Sequence, residues 1–238
     1  MSGIVYLVGA GPGDPELLTL KALNILKKGD IVMYDYLINK NILKLLPPQV
    51  KKIAVGKNKK EDTDVQQDRI NKLLVKYAKE GKKVVRLKSG DPFLFGRGGE
   101  EIEYLKSQKV RFRVIPGISS SIGVPTYVGL PLTHRNFSSS IMIISGQLRK
   151  GNTLDWDYIA KFKGTLVILM GAKNLEDIIA SLLKNGKDAD TPICLIRNGT
   201  LKSQIVLKGS LQNIIKTAKA NNIKAPLITV IGSVVNLL

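Results

Sequence analysis

Two kinds of residue in this sequence could do chemistry: single charged side chains that end apolar runs, and a glycine-rich stretch built around an arginine. Asp35 follows the run Ile31–Tyr34, and Lys57 follows a shorter run ending at Gly56. A carboxylate and an amine at one rim could serve as proton acceptor and donor, with burial moving both pKa values toward neutrality. Both could equally be solvated turn residues. Residues 84–101 read Val-Val-Arg-Leu-Lys-Ser-Gly-Asp-Pro-Phe-Leu-Phe-Gly-Arg-Gly-Gly-Glu-Glu. A buried strand at 84–87 must stop at Ser89-Gly90-Asp91-Pro92, because glycine opens the backbone and proline removes a ladder donor. The three glycines around Arg97 would then expose backbone N–H groups to a ligand ahead of a helix that begins at Glu100. Arg97 and Arg135 each sit among turn residues and suit carboxylate binding, because a guanidinium fork pairs with a carboxylate in a bidentate way. Neither can act as a base, since arginine stays protonated.

These residues need elements to position them. Residues 3–8 form a β-branched run that breaks at Gly9-Ala10-Gly11-Pro12-Gly13-Asp14. Asp14 can cap a following helix and Pro15 fits its first position; Leu18, Ala22, Ile25 and Leu26 give that helix an apolar face. Strands are expected at 31–34, 53–55, 84–87 and 111–115, and helices around 41–46, 70–77 and 100–107. This alternation predicts a mostly parallel, doubly wound sheet, whose ligands lie at the carboxyl ends of the strands. The second half should hold strands at 141–145, 166–170, 193–197, 204–207 and 227–231. The 204–207 run follows Gly199-Thr200 too closely for a helical crossover, so an antiparallel pair and a mixed sheet are expected. The reading is therefore two α/β domains, 1–115 and 116–238, with a linker around 125–137.

Several chemistries are disfavoured. The series Gly9-x-Gly11-x-Gly13-Asp14 lacks the third glycine of a dinucleotide fingerprint and places an acid where pyrophosphate would lie. One cysteine, Cys194, allows no internal disulfide and reads as a core residue. One histidine, His134, has no second imidazole with which to hold a metal and reads as a hydrogen-bonded structural residue; no metal site is expected. No run approaches the roughly 18 apolar residues of a membrane span, and no leader is expected before the first strand. The formal charge is +18, from 37 Lys and Arg against 19 Asp and Glu. A lysine-coated surface, a nucleic-acid-binding face and a cleft that steers an acidic small molecule would each give that excess. With aromatics at 5%, no basic stripe interleaved with aromatics is visible.

Three stretches together resemble the tetrapyrrole (corrin/porphyrin) methylases: residues 5–20, residues 84–101 and Gly129-Leu-Pro-Leu-Thr-His-Arg135. The likeness runs through essentially the whole chain, including residues 166–171 and Asn198-Gly199-Thr200. It implies a homodimer of two-domain subunits, with S-adenosyl-methionine bound between the domains; the single cysteine and the lack of an expected leader point to the cytoplasm. The reaction implied is transfer of two methyl groups to uroporphyrinogen III, giving precorrin-2 for sirohaem or cobalamin-type tetrapyrroles and leaving S-adenosyl-homocysteine. By match to the family pattern, Pro12, Ser89, Gly90, Asp91, Leu94, Ser119, Ser120, Met170 and Gly199 would line the cofactor site. Asp35 and Lys57 match the proton acceptor and donor, and Arg97, Glu100 and Arg135 match tetrapyrrole-contacting positions. Ser89 stands where the family usually has glycine, Ser119-Ser120 replaces Thr-Ala or Thr-Ser, and Gln147 replaces a histidine. The dehydrogenase and chelatase module of some relatives is not expected here, and methylation without NAD is. The alternatives are a methylase of a later corrin intermediate, such as precorrin-2 or cobalt-factor II, and a basic nucleic-acid-binding protein.

Overall fold

A computed structural model describes residues 3–56, 63–149 and 151–238. The chain divides into two compact units, Met1–Ser119 and Ser120–Leu238.

The first unit holds five strands, β1 (Ile4–Gly9), β2 (Ile31–Tyr34), β3 (Lys51–Ala54), β4 (Lys83–Lys88) and β5 (Phe112–Ile115), in the order β3-β2-β4-β1-β5. All four pairings are parallel, as the alternation of strands and helices requires. Four helices connect them: α1 (Leu20–Lys28), α2 (Lys40–Lys44), α3 (Thr63–Lys79) and α4 (Gly98–Ser107). The period-2 alternation of the strands sorts side chains to two faces. Val8, Val32, Val85 and Leu87 pack with Leu26 of α1 and Ile42 of α2. Val5, Leu7, Met33 and Val84 pack on the other face with Leu74 of α3 and Leu105 of α4. Burial of each such Leu or Val contributes about 1.5–3 kcal/mol.

The first helix starts later than its proline suggests. Asp14 does cap, accepting from the Glu16 N–H at 3.0 Å, but it closes only a 3-10 turn at Pro15–Leu17. Leu18 returns to extended backbone, and Thr19 becomes the true cap, its hydroxyl accepting from Ala22 N at 3.1 Å.

The second unit holds β6 (Ile141–Ser145), β7 (Thr165–Leu169), β8 (Pro192–Arg197), β9 (Ile205–Ser210) and β10 (Leu227–Ile231), in the order β6-β7-β10-β8-β9. The sheet is mixed as expected: β6 and β7 are parallel, while the β7–β10, β10–β8 and β8–β9 pairs are antiparallel. Cys194 is buried in β8, and α7 (Leu175–Lys184) and α8 (Ile214–Ala220) pack apolar faces against its strand neighbours Ile193 and Leu195. Two further helices, α5 (Ser120–Tyr127) and α6 (Trp156–Lys161), were not expected. The α5 stretch, Ser-Ser-Ile-Gly-Val-Pro-Thr-Tyr, has small residues and an internal Pro125, and so carries no helical periodicity to read.

Candidate active site

The carboxyl ends of β4, β1 and β5 are bound into one corner by backbone. Gly11 N donates to Gly90 O at 3.2 Å, and Gly90 N donates back to Gly11 O at 2.8 Å. Gly9 and Gly117 meet so closely that a Cβ on Gly117 would lie 2.4 Å from Gly90 O and 2.7 Å from Gly9 Cα. Asp91 completes the tie. Its Oδ1 accepts from Phe93 N at 2.9 Å and Leu94 N at 3.3 Å, and its Oδ2 accepts from Gly117 N at 3.2 Å. The side chain of Asp91 is thus spent on the corner itself, as are the N–H and carbonyl of Gly90.

The glycines beyond the corner have a different use from the one their spacing suggests. Gly96 and Gly98 carry no positive φ; a Cβ on either would lie 2.5 or 2.4 Å from Pro92 O. The left-handed positions fall instead on Phe95 (φ 53) and Arg97 (φ 57), at about 1–2 kcal/mol each for a side-chain-bearing residue. Helix α4 therefore begins from a strained arginine.

A buried ionic frame stands directly beneath the corner, and the sequence reading missed it. β4 continues its alternation through Val84, Arg86 and Lys88, so Arg86 and Lys88 point toward α3 and α4. Arg86, Lys88 and Glu101 of α4 are 2%, 3% and 0% exposed. Glu101 Oε1 accepts from Arg86 Nε at 2.9 Å, Lys88 Nζ at 3.1 Å and Gln67 Nε2 of α3 at 3.2 Å. Arg86 then spends Nη1 on Leu87 O at 3.2 Å and Nη2 on Asp35 Oδ1 at 2.6 Å. Burial bears most strongly on Arg86, Lys88 and Glu101. The two carboxylates nevertheless outweigh it and raise Arg86, while Arg86 and Lys88 together hold Glu101 below the usual carboxylate range. Lys88 is lowered, by burial first and by Arg86 next. One signal in the sequence could have revealed this frame: basic residues at alternating positions of a strand read as buried need a buried acid.

Asp35 lies one residue beyond β2, where Tyr34 pairs with Leu87 of β4. Its side chain is 27% exposed, so the carboxylate is half open at the same strand edge as the corner. Lys57 lies outside the described residues. Arg97 is already engaged: Nε donates to Glu100 Oε1 at 2.8 Å, and Nη2 donates to Glu100 Oε2 at 2.6 Å and to Asp64 Oδ1 at 2.8 Å. Those bonds, Glu100 foremost, raise its pKa further. Glu100 is the exposed and Glu101 the buried member of the acidic pair.

In the second unit Arg135 lines a cavity of about 630 Å³ with Thr133, His134, Asn136, Ser138 and Ser139. His134 Nδ1 accepts from Asn136 N at 3.2 Å and its ring tilts against Phe137, the hydrogen-bonded structural role expected for it. Met170 has φ 58 and is half exposed at the end of β7. Gly199, between Asn198 (φ 50) and Thr200 (φ 67), fits where any Cβ would strike Val124 of α5 at 2.3 Å. Gln147 closes a tight turn, its N–H donating to Ser145 Oγ at 3.2 Å. Ser119 ends the first unit and Ser120 opens α5. Pro12 and Leu94 belong to the first unit, in the loops after β1 and β4.

Compared with known proteins, residues 4–215 match the family model of Tetrapyrrole (Corrin/Porphyrin) Methylases. An S-adenosyl-L-methionine-dependent uroporphyrinogen III methyltransferase of Methanosarcina barkeri is 50% identical over 99% of this chain and 93% of its own. A siroheme synthase of Pseudoalteromonas translucida is 45% identical over 99% of this chain, which spans 50% of that protein's length. The crystal structure of uroporphyrin-III C-methyl transferase from Thermus thermophilus complexed with S-adenyl homocysteine is 37% identical. It superposes with a TM-score of 0.84, over 99% of this chain and 94% of that one. The nucleic-acid-binding alternative is not favoured by these likenesses. With sequence, fold and family model in agreement, the chain belongs to the tetrapyrrole (corrin/porphyrin) methylases.

Proposed function

We propose that this chain is an S-adenosyl-methionine-dependent C-methyltransferase that adds two methyl groups to uroporphyrinogen III, giving precorrin-2. The observation that carries the reading is Asp35: a half-open carboxylate fixed at 2.6 Å by Arg86, on the strand next to the glycine-lined corner.

The corner fits such a donor. Its glycines keep side chains out, which lets a ligand approach the backbone closely. By match to the family pattern, Pro12, Ser89, Gly90, Asp91, Leu94, Ser119, Ser120, Met170 and Gly199 would hold it. When bound, S-adenosyl-methionine supplies a methyl group already activated on a sulfonium. The protein supplies position and environment.

Asp35 accepts a proton from a pyrrole N–H as electron density moves to the ring carbon that is methylated. Lys57 is the matching donor. Arg97 and Arg135 clamp the acetate and propionate arms, with substrate carboxylates taking the place of Asp64 on Arg97, and Glu100 contacts the tetrapyrrole. The net charge of +18 steers this polyanion, so association should slow as salt rises. The active unit is a cytoplasmic homodimer; the exposed Tyr36, Leu37, Phe93 and Phe95 of the first unit are apolar surface that such pairing could cover.

Anaerobic incubation with uroporphyrinogen III and S-adenosyl-methionine should yield a product heavier by two methyl groups. No methylated product would overturn the reading. Asp35→Asn should lower kcat about 10²–10⁴-fold with S-adenosyl-homocysteine binding unchanged by calorimetry.

A further inference from the structure

The frame beneath the corner invites a question that stability alone does not answer. Buried ion pairs add little net stability over apolar residues of similar volume. What they do supply is direction, because a guanidinium is planar and offers its donors at fixed angles. Here all three nitrogens of Arg86 have acceptors, so the group cannot turn without breaking one. Its far anchor is Glu101, fully buried on α4, with one oxygen receiving three donors. Its near end is Asp35, just past β2 and followed by exposed Tyr36 and Leu37, where Arg86 is the side chain that holds the carboxylate.

We propose that Glu101, acting through Arg86, sets the position of the Asp35 carboxylate, so that the frame is positioning machinery for proton removal. This rests on Asp35 being the proton acceptor. Glu101 is three residues into α4, whose start is tied to Pro92 by the Gly98 N–H at 3.1 Å. The same helix therefore references both the corner and the carboxylate. A displacement near 1 Å of a reacting group can lower a rate about 10²-fold.

The test is a cycle between Arg86→Lys and Asp35→Asn, read as kcat, KM for both substrates and affinity for S-adenosyl-homocysteine. Lysine keeps the charge and loses the fork. Arg86→Lys alone should lower kcat about 10–100-fold with both KM values and the homocysteine affinity within about twofold. In the Asp35→Asn background the same change should alter kcat less than about threefold, since its route of action is already cut. An equal loss in both backgrounds, or no loss in the first, overturns the proposal. A wild-type rate for Asp35→Asn alone sinks instead the assignment of Asp35, and is read separately. Should Arg86→Lys not fold, Glu101→Asp takes its place in the cycle, drawing the anchor back at constant charge. Failure of both to fold assigns the frame to stability and also overturns the proposal.

Discussion

The two sheets have five strands each, and their interiors differ in kind. Among the described residues the buried charged side chains are Arg86, Lys88 and Glu101, all in the first unit. The second core is apolar around Leu166, Ile168, Leu182 and Leu195, and its buried polar groups are hydroxyls such as Thr165 and Thr229. A parallel sheet covered on both faces has no structural need for charge inside it. The charge inside the first unit therefore calls for a use other than cohesion, which the apolar second core does not.

The contrast can be broken most severely at Glu101. Glu101→Ala leaves Arg86 and Lys88 buried without their shared acid and should destabilise the fold by about 3–5 kcal/mol in urea titration. Leu195→Ala in the other sheet should fall within about 2–5 kcal/mol by loss of volume, and its effect should not depend on pH. The pH dependence separates the two. Because Glu101 is held below the usual carboxylate range, its contribution is complete above an ordinary pKa of about 4.3 and is lost as pH falls through the lowered value. Glu101→Gln should flatten that part of the acid limb, and an unchanged limb would refute the assignment.

Smaller effects sharpen the comparison within the first unit. Gly117→Ala drives a methyl into Gly90 O and should destabilise by about 1–3 kcal/mol while weakening S-adenosyl-homocysteine in calorimetry. Gly99→Ala, in the first turn of α4 with nothing within 4 Å of the new methyl, should instead stabilise by about 0.4–1 kcal/mol. Least perturbing is a chemical probe of the second unit. Burial pushes the Cys194 thiol up to about 12, so alkylation at pH 8 should proceed only as the protein unfolds.

Much of this was legible from the residues in order. Alternating runs and glycine breaks gave both sheets, and the short gap after Thr200 gave the antiparallel β8–β9 pair. Strand ends located Asp35 and the corner, because ligand-facing loops follow from parallel topology. The frame was not legible, because Arg86 and Glu101 are fifteen residues apart and only the packing of α4 on β4 joins them. The ion pairs of Arg97 were hidden for a related reason: its partner Asp64 comes from α3, thirty-three residues away. Helix α5 was hidden by small side chains that carry no period.

One consequence follows from the alternation along β4. A slip of a single residue in its pairing would turn Arg86 and Lys88 onto the opposite face, among Val8, Leu26, Val32 and Ile42. No acid waits there, and two bare cations would be stranded in oil-like surroundings. The charges thereby proofread the strand while the chain folds, admitting the one alignment in which the corner ahead of them can close.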